Sequence, residues 1–301
     1  MKEDNAYKKF NESGDGIIKG RVRLLDVYEF RQKYGYFSIL FTVVQTLVLI
    51  VMMWQCGIAP ISINPMVGPY PDTLSYWGAK NAALIIEDGE FWRLFSPILL
   101  HAGVIHLIGN ISCQIDLGIF FEKEWGSLRW LTIYLTSAFG SSVLSTIIMP
   151  GSISVGSSGA VMGLFGAKLT EVLCRICEAQ TTVQQKVGNA VRKELLSGMI
   201  ISIVVVMIFS FLPYVDWAAH LGGLLAGMFT GILLFACFIE LTVCRILWFI
   251  IGLVLSLFSF ALALDYMYHR VEVVEALRDV CGYYQEFFED YECHCTKEDT
   301  D

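Results

Sequence analysis

The sequence predicts an all-α protein that crosses a membrane several times. Two observations carry that fold class and a third gives it a direction. Of the 301 residues, 55% are hydrophobic and only 17% are charged, with a mean hydropathy of +0.58, too apolar for an ordinary soluble domain. The apolar residues are grouped into blocks of 18 to 24, the length a helix needs to cross the hydrocarbon core. Lys and Arg, finally, are shared unequally between alternate connecting segments.

Residues 1–35 are polar, with Lys2, Lys8, Lys9, Lys19, Arg21, Arg23, Arg31 and Lys33 interleaved with acids. They have no apolar core of the kind a cleaved signal peptide needs, and they contain the acids that transit peptides avoid. The first span follows at 36–55. Residues 57–97 form a long non-periodic loop holding Pro60, Pro65, Pro69, Pro71 and Pro97, and further blocks lie at about 98–121, 128–149, 158–176, 196–213, 218–239 and 244–264. That makes seven candidate helices.

With the N-terminus inside, the inside segments hold sixteen of the 21 Lys and Arg, leaving Lys80, Arg93, Arg270, Arg278 and Lys297 outside. Short loops rich in these residues stay cytosolic, so the N-terminus is read as cytosolic and the C-terminal tail as lumenal or extracellular. Residues 265–301 carry eleven acids against three bases and account for the whole net charge of −8. Nothing in the charge pattern resembles a nucleic-acid footprint.

The second, fourth and sixth spans then run from outside to inside, and their N-terminal ends share one leaflet. Those ends carry His101, His106 and Asn110, then Gly156, Ser158 and Gly159, then Asp216 and His220. Polar and ionisable side chains at such a depth are costly unless they face the protein interior or a cavity. A serine hydroxyl is a poor nucleophile until a base takes its proton, and His220 opens the sixth span as Ser158 opens the fourth. Small residues recur behind both, as Gly159-x-x-x-Gly163 and Gly223-x-x-x-Gly227-x-x-x-Gly231. This spacing allows two backbones to approach closely, as a Ser–His hydrogen bond between helices requires. Taken alone, the fourth span also reads as plain small-residue packing that happens to include a serine.

His106 and Asn110 are four residues apart, hence on one helical face, and both offer donors to a developing oxyanion. The Ser158 N–H at a helix N-terminus adds a third. His101 lies roughly 140° away from His106 around a regular helix and reads equally as an interfacial or loop-bracing residue. No acid obviously orients His220, since the direction of Asp216 is unreadable, so a Ser–His dyad is the simpler reading. Asn11-Glu-Ser13 and Asn110-Ile-Ser112 match a glycosylation pattern, but in the cytosol and within the membrane, where it is empty.

Together these residues resemble the rhomboid intramembrane serine proteases. The likeness rests on His101-x4-His106-x3-Asn110, Gly156-x-Ser158-Gly159-x3-Gly163 and Ala219-His220-x2-Gly223-x3-Gly227, with Glu90-Phe91-Trp92-Arg93 in the first loop and Glu122 with Gly126 after the second span. It covers about residues 37–240. The resemblance implies a six-helix core with a cavity open to the outer leaflet. In it Ser158 is the nucleophile, His220 the base and acid, His106 and Asn110 line the oxyanion hole, and Trp92 and Arg93 brace the first loop. It implies no metal or organic cofactor. Its partners are single-pass transmembrane substrates and the lipid bilayer, with small, helix-destabilising residues near the cut. Where many members stack an aromatic residue on the histidine, this chain has Met162, whose thioether can contact an imidazole.

The chain accordingly divides into a cytosolic segment (1–35), a catalytic membrane core (36–240), a seventh helix (241–264) and an acidic lumenal or extracellular tail (265–301). The extra C-terminal helix is similar to the secretase-type arrangement, which places the protein in the secretory pathway or plasma membrane. A catalytically inactive relative that binds membrane clients is the competing reading, although such proteins typically lack the serine or the histidine. A transporter would show inverted repeats, and none is evident.

Further expectations concern the remaining polar residues. Asp116 and Lys168 each lie ten residues beyond a site residue, about 15 Å further along parallel helices, and are expected to pair. Cys56, Cys281, Cys293 and Cys295 lie outside, where disulfides persist, with no pairing readable. Cys293-His-Cys295 is too short for a metal site. Val274, Leu277, Cys281, Tyr284 and Phe288 recur at helical spacing and predict an amphipathic helix in the tail.

Overall fold

The fold is taken from a computed structural model that describes residues 30–174, 183–211 and 215–295, with the backbone alone for 183–195. The first long helix is α1 (Tyr36–Cys56). Two short helices in the loop follow, α2 (Pro71–Tyr76) and α3 (Ala82–Ile86). Next come α4 (Val104–Cys113), α5 (Ile119–Trp125), α6 (Ser127–Ile148) and α7 (Ser158–Cys174). The chain ends with α8 (Val183–Phe209), α9 (Trp217–Ala236), α10 (Thr242–Arg270) and α11 (Val280–Gln285). Among the described residues the extended structure amounts to one antiparallel bridge between Lys80 and Ser154.

Among the described residues, five helical stretches are long and apolar enough to cross a membrane: α1, the continuous Val104–Trp125, α6, α9 and α10. Helix α7 has 17 residues, and the apolar part of α8 is Leu196–Phe209. The chain is an integral, all-helical membrane protein. Its main core packs Trp130, Ile133, Tyr134, Met162, Leu164 and Phe165 between α6 and α7. Helix α10 lies at the edge: it buries Gly252, Ser256 and Met267, while residues such as Val243, Phe258 and Leu257 face outward.

A few residues fix the start of α1 and the turns around it. Buried Glu122 accepts from the Phe37 N–H at 2.9 Å and the Ser38 N–H and hydroxyl at 2.8 Å each. It thereby satisfies the otherwise unpaired donors of a helix start, and the Ser127 hydroxyl donates to it at 2.6 Å. Gly126 turns the chain with φ +89°, a conformation that glycine adopts without a Cβ clash. Midway, α4 and α5 are joined by a π turn over Gln114–Gly118. Its Gln114 donates to Thr42 Oγ1 at 2.9 Å and accepts from the Tyr134 hydroxyl at 2.7 Å.

Three expectations are corrected. The second block is helical only from Val104, because Phe91–Leu94 and Ser96–Leu99 form separate 3-10 turns around Pro97; His101 therefore precedes the helix. The tail is not one amphipathic helix: a 3-10 turn at Glu275–Arg278 is separated from α11 by Asp279, which caps α11 by accepting from Gly282 N–H. Leu277 and Cys281 are nonetheless buried, because the tail packs on the first loop. Asn81 donates to Leu277 O at 2.7 Å and Tyr291 to Asp72 at 2.8 Å. The four cysteines whose pairing is unreadable in the sequence pair as Cys56–Cys295 and Cys281–Cys293.

The third correction concerns Lys168, which does not pair with Asp116. Its ammonium lies 2.6 and 2.7 Å from the Glu124 oxygens and 2.6 Å from Glu171, and Asp116 is exposed. The extrapolation assumed a regular helix, and the π turn that contains Asp116 breaks that register. Lys168 is 1% exposed and contacts both Glu124 and Glu171, and removing one partner of a buried ion pair costs about 3–5 kcal/mol. Lys168→Met should therefore lower the thermal unfolding midpoint in detergent sharply, while Asp116→Asn should leave it within the noise. Equal effects would contradict the assignment.

Candidate active site

The site starts with the loop that delivers α7. Lys80 holds this loop, its ammonium donating to Met149 O at 2.8 Å and Ser152 O at 2.7 Å and its backbone N–H to Ser154 O at 2.9 Å. Burial pushes the Lys80 ammonium down to about 8, against an opposing attraction from Asp216. The Gly156 N–H then donates to Pro97 O at 2.9 Å, and Gly156 has φ +124°, which disfavours any side chain. Ser158 follows as the first residue of α7.

Asp216 starts α9 as its cap, accepting from Ala219 N–H at 2.8 Å while the Ser145 hydroxyl donates to its other oxygen. Its direction, open in the sequence, is set by these two bonds, neither of which is to the His220 ring. Between α7 and α9 the glycines are in mutual contact. A Cβ on Gly223 or Gly227 would overlap the carbonyls of Gly159 and Gly163, and one on Gly163 would lie 2.9 Å from Gly223 O. A Cβ on Gly159 would overlap Ser141 and approach Ala219 O to 3.0 Å. This contact of bare backbones brings Ser158 Oγ to 2.7 Å from His220 Nε2, within the range for a nucleophile and its base.

His106 stands beside them. The Ala102 N–H points at its Nδ1 at 3.4 Å, a long contact that leaves Nε2 to carry the ring proton. The space where a Gly156 Cβ would sit lies 3.0 Å from His106 Nε2 and 3.8 Å from Ser158 Oγ. A Cβ there would overlap His106 Cε1 at 2.7 Å, so the bare Gly156 backbone lets the His106 ring stand close to the Ser158 hydroxyl. Asn110 is buried, donates from its amide to His106 O at 2.9 Å and accepts from the Ser157 hydroxyl at 3.2 Å. In this state its amide is tied to its own helix rather than to the space beside Ser158.

His101 is fully buried, and its ring lies 5.3 Å edge-on to that of His106. Burial, and secondarily His106, push it down to about 3, so it is neutral at physiological pH. Arg93 is 2% exposed and joins the first loop, donating to Glu90 at 2.5 Å, Ser75 O at 2.6 Å and Ala79 O at 3.1 Å. Its guanidinium also lies 4.6 Å from the Trp92 ring centroid, and that ring fills the space over Gly78. Met162 is buried in the core between α6 and α7, and the Ser158–His220 contact forms with a methionine there. Reading the sequence alone missed Ser157 and also Ser210, whose hydroxyl is 2.5 Å from His220 Nδ1. No local pattern marks either residue.

Residues 88–237 match the family model of the rhomboid domain. The chain is 41% identical over 175 residues to RHOMBOID-like protein 6, mitochondrial, of Arabidopsis thaliana, an alignment covering 58% of this chain and 54% of that protein. It is 31% identical over 177 residues to Rhomboid-like protease 2 of Toxoplasma gondii, covering 58% of each. It is also 30% identical over 168 residues to a protein named Inactive RHOMBOID-like protein 8 of Arabidopsis thaliana, covering 55% of this chain and 44% of that one. The matched region thus spans about half the length of these relatives.

A hydroxyl hydrogen-bonded to an imidazole should react with a fluorophosphonate probe. Labelling should vanish in Ser158→Ala and slow by roughly 10²–10⁴-fold in His220→Ala, the contribution of general-base help. Gly156→Ala should also reduce it, through both φ and the overlap of the new methyl with the His106 ring. Labelling that survives in Ser158→Ala would show that another group reacts.

Proposed function

Because the chain belongs to the rhomboid family, we propose that it is an intramembrane serine endopeptidase that cleaves single-pass transmembrane proteins. The observation carrying this reading is the 2.7 Å contact between Ser158 Oγ and His220 Nε2, made by two helices whose glycines permit it. His220 takes the Ser158 proton as Oγ attacks the substrate carbonyl, forming a tetrahedral oxyanion. The Ser158 N–H and His106 Nε2–H donate to that oxygen, and the Asn110 amide joins them by turning from His106 O. The protonated His220 then gives its proton to the departing amine, leaving an acyl group on Ser158. Water, deprotonated by the same imidazole, hydrolyses that ester and regenerates the hydroxyl.

The reaction is placed in the outer leaflet, and the protein in the secretory pathway or plasma membrane with its N-terminus cytosolic. The sixteen-to-five Lys/Arg bias and the disulfides Cys56–Cys295 and Cys281–Cys293 support this sidedness, since disulfides persist in those compartments. The catalytic unit is residues 36–240, with α10 and the tail appended to it.

Co-expression with a model single-pass substrate tests the reading. Wild type should cleave it, and Ser158→Ala and His220→Ala should not. His106→Ala should lose about 10²–10³ in kcat, the usual cost of one oxyanion donor. Undiminished cleavage by Ser158→Ala or His220→Ala would remove the dyad assignment. Substrate capture without cleavage by wild type would favour client binding instead.

A further inference from the structure

His220 has two ring nitrogens, and the function proposed above, on which this inference rests, needs a free lone pair on Nε2. Among the described residues, Nδ1 faces not a carboxylate but Ser210 Oγ, at 2.5 Å. Ser210 directly follows α8 and is 1% exposed. Its single hydroxyl proton has a second neighbour, Val206 O, at 2.6 Å, and a carbonyl oxygen can only accept. With the proton directed to Val206, Ser210 Oγ is an acceptor, so the nitrogen beside it must donate. A neutral imidazole carries one N–H. It is therefore on Nδ1, and Nε2 presents its lone pair to the Ser158 hydroxyl.

We propose that Ser210 is a positioning residue that holds His220 in the tautomer able to act as a base. If the Ser210 proton went to Nδ1 instead, the Val206 bond would be lost. Nε2 would then carry the ring proton and have no lone pair for Ser158. Asp216, the acid nearest in sequence, is occupied by Ala219 N–H and the Ser145 hydroxyl. When Nε2 takes the Ser158 proton, Nδ1 keeps its own and continues to donate to Ser210. No group has to turn over as charge develops, and the hydrogen bond strengthens because its donor becomes cationic.

The control also comes from a third helix. Ser210 is buried, whereas Ile200, Ile201, Val204, Val205, Ile208 and Phe209 of α8 are exposed. The tautomer of His220 therefore depends on how the end of α8 is seated.

The test uses full-length protein labelled with ¹⁵N-histidine in detergent micelles, with the His220 signals assigned by their loss in His220→Ala. Wild type should show a protonated, pyrrole-type Nδ1 and an unprotonated Nε2. Ser210→Ala should show a mixture, with kcat on a model substrate down about tenfold, the effect of losing one hydrogen bond, and KM little changed. Ser210→Thr should restore both the spectrum and kcat. Protonated Nε2 in wild type, or an unchanged tautomer and kcat in folded Ser210→Ala, would overturn the proposal. If Ser210→Ala does not fold, the wild-type and Ser210→Thr spectra decide. Cleavage that persists in Ser158→Ala would instead refute the dyad, and the spectrum would still report whether Ser210 sets the tautomer.

Discussion

Everything in the site depends on two helices touching without side chains between them. Gly159 and Gly163 of α7 meet Gly223 and Gly227 of α9 so closely that a single added methyl would overlap a facing carbonyl. In lipid, apolar burial drives helix association only weakly, so close backbone packing takes a larger share. The contact also sets a distance. A serine and a histidine opening neighbouring helices span 2.7 Å only because nothing larger than hydrogen separates the backbones one turn below them.

Around that contact, three networks bury polar groups together with their partners. Gln114 links α1 and α6 through Thr42 and Tyr134. Glu122 caps α1, and Lys168 is held between Glu124 and Glu171. An unpaired group of this kind inside a membrane costs several kcal/mol, so each network confines the helices to one register. The π turn at Gln114–Gly118 belongs to the same logic, because it directs Gln114 inward while Asp116 is left exposed.

The loops at the site end act as a scaffold. Arg93 gathers the first loop through Glu90, Ser75 and Ala79, and Lys80 ties that loop to the segment before Gly156. Over it lies the tail, fastened by Cys56–Cys295 and by the bond from Tyr291 to Asp72. Helix α10 contributes little buried surface of its own, and its C-terminal continuation nevertheless brings the tail back to the loop preceding the site.

Hydropathy and spacing were sufficient for the number and order of the long helices. They also marked His106, Asn110, Ser158 and His220 as one set, because block length, charge bias and glycine repeats are local properties of the chain. What they left open depended on register and direction in space. A regular-helix extrapolation paired Lys168 with Asp116, and the π turn together with two nearer carboxylates gave it Glu124 and Glu171. The same extrapolation put His101 on a helix that starts only at Val104, and it could not orient Asp216. Ser210, ten residues before His220 in the sequence, reaches Nδ1 only because tertiary packing brings the end of α8 against the start of α9. Which residues are available to react follows from their order and spacing along the chain; which of their atoms face one another follows from packing, since a hydrogen bond depends on angles and tenths of an ångström that no spacing encodes.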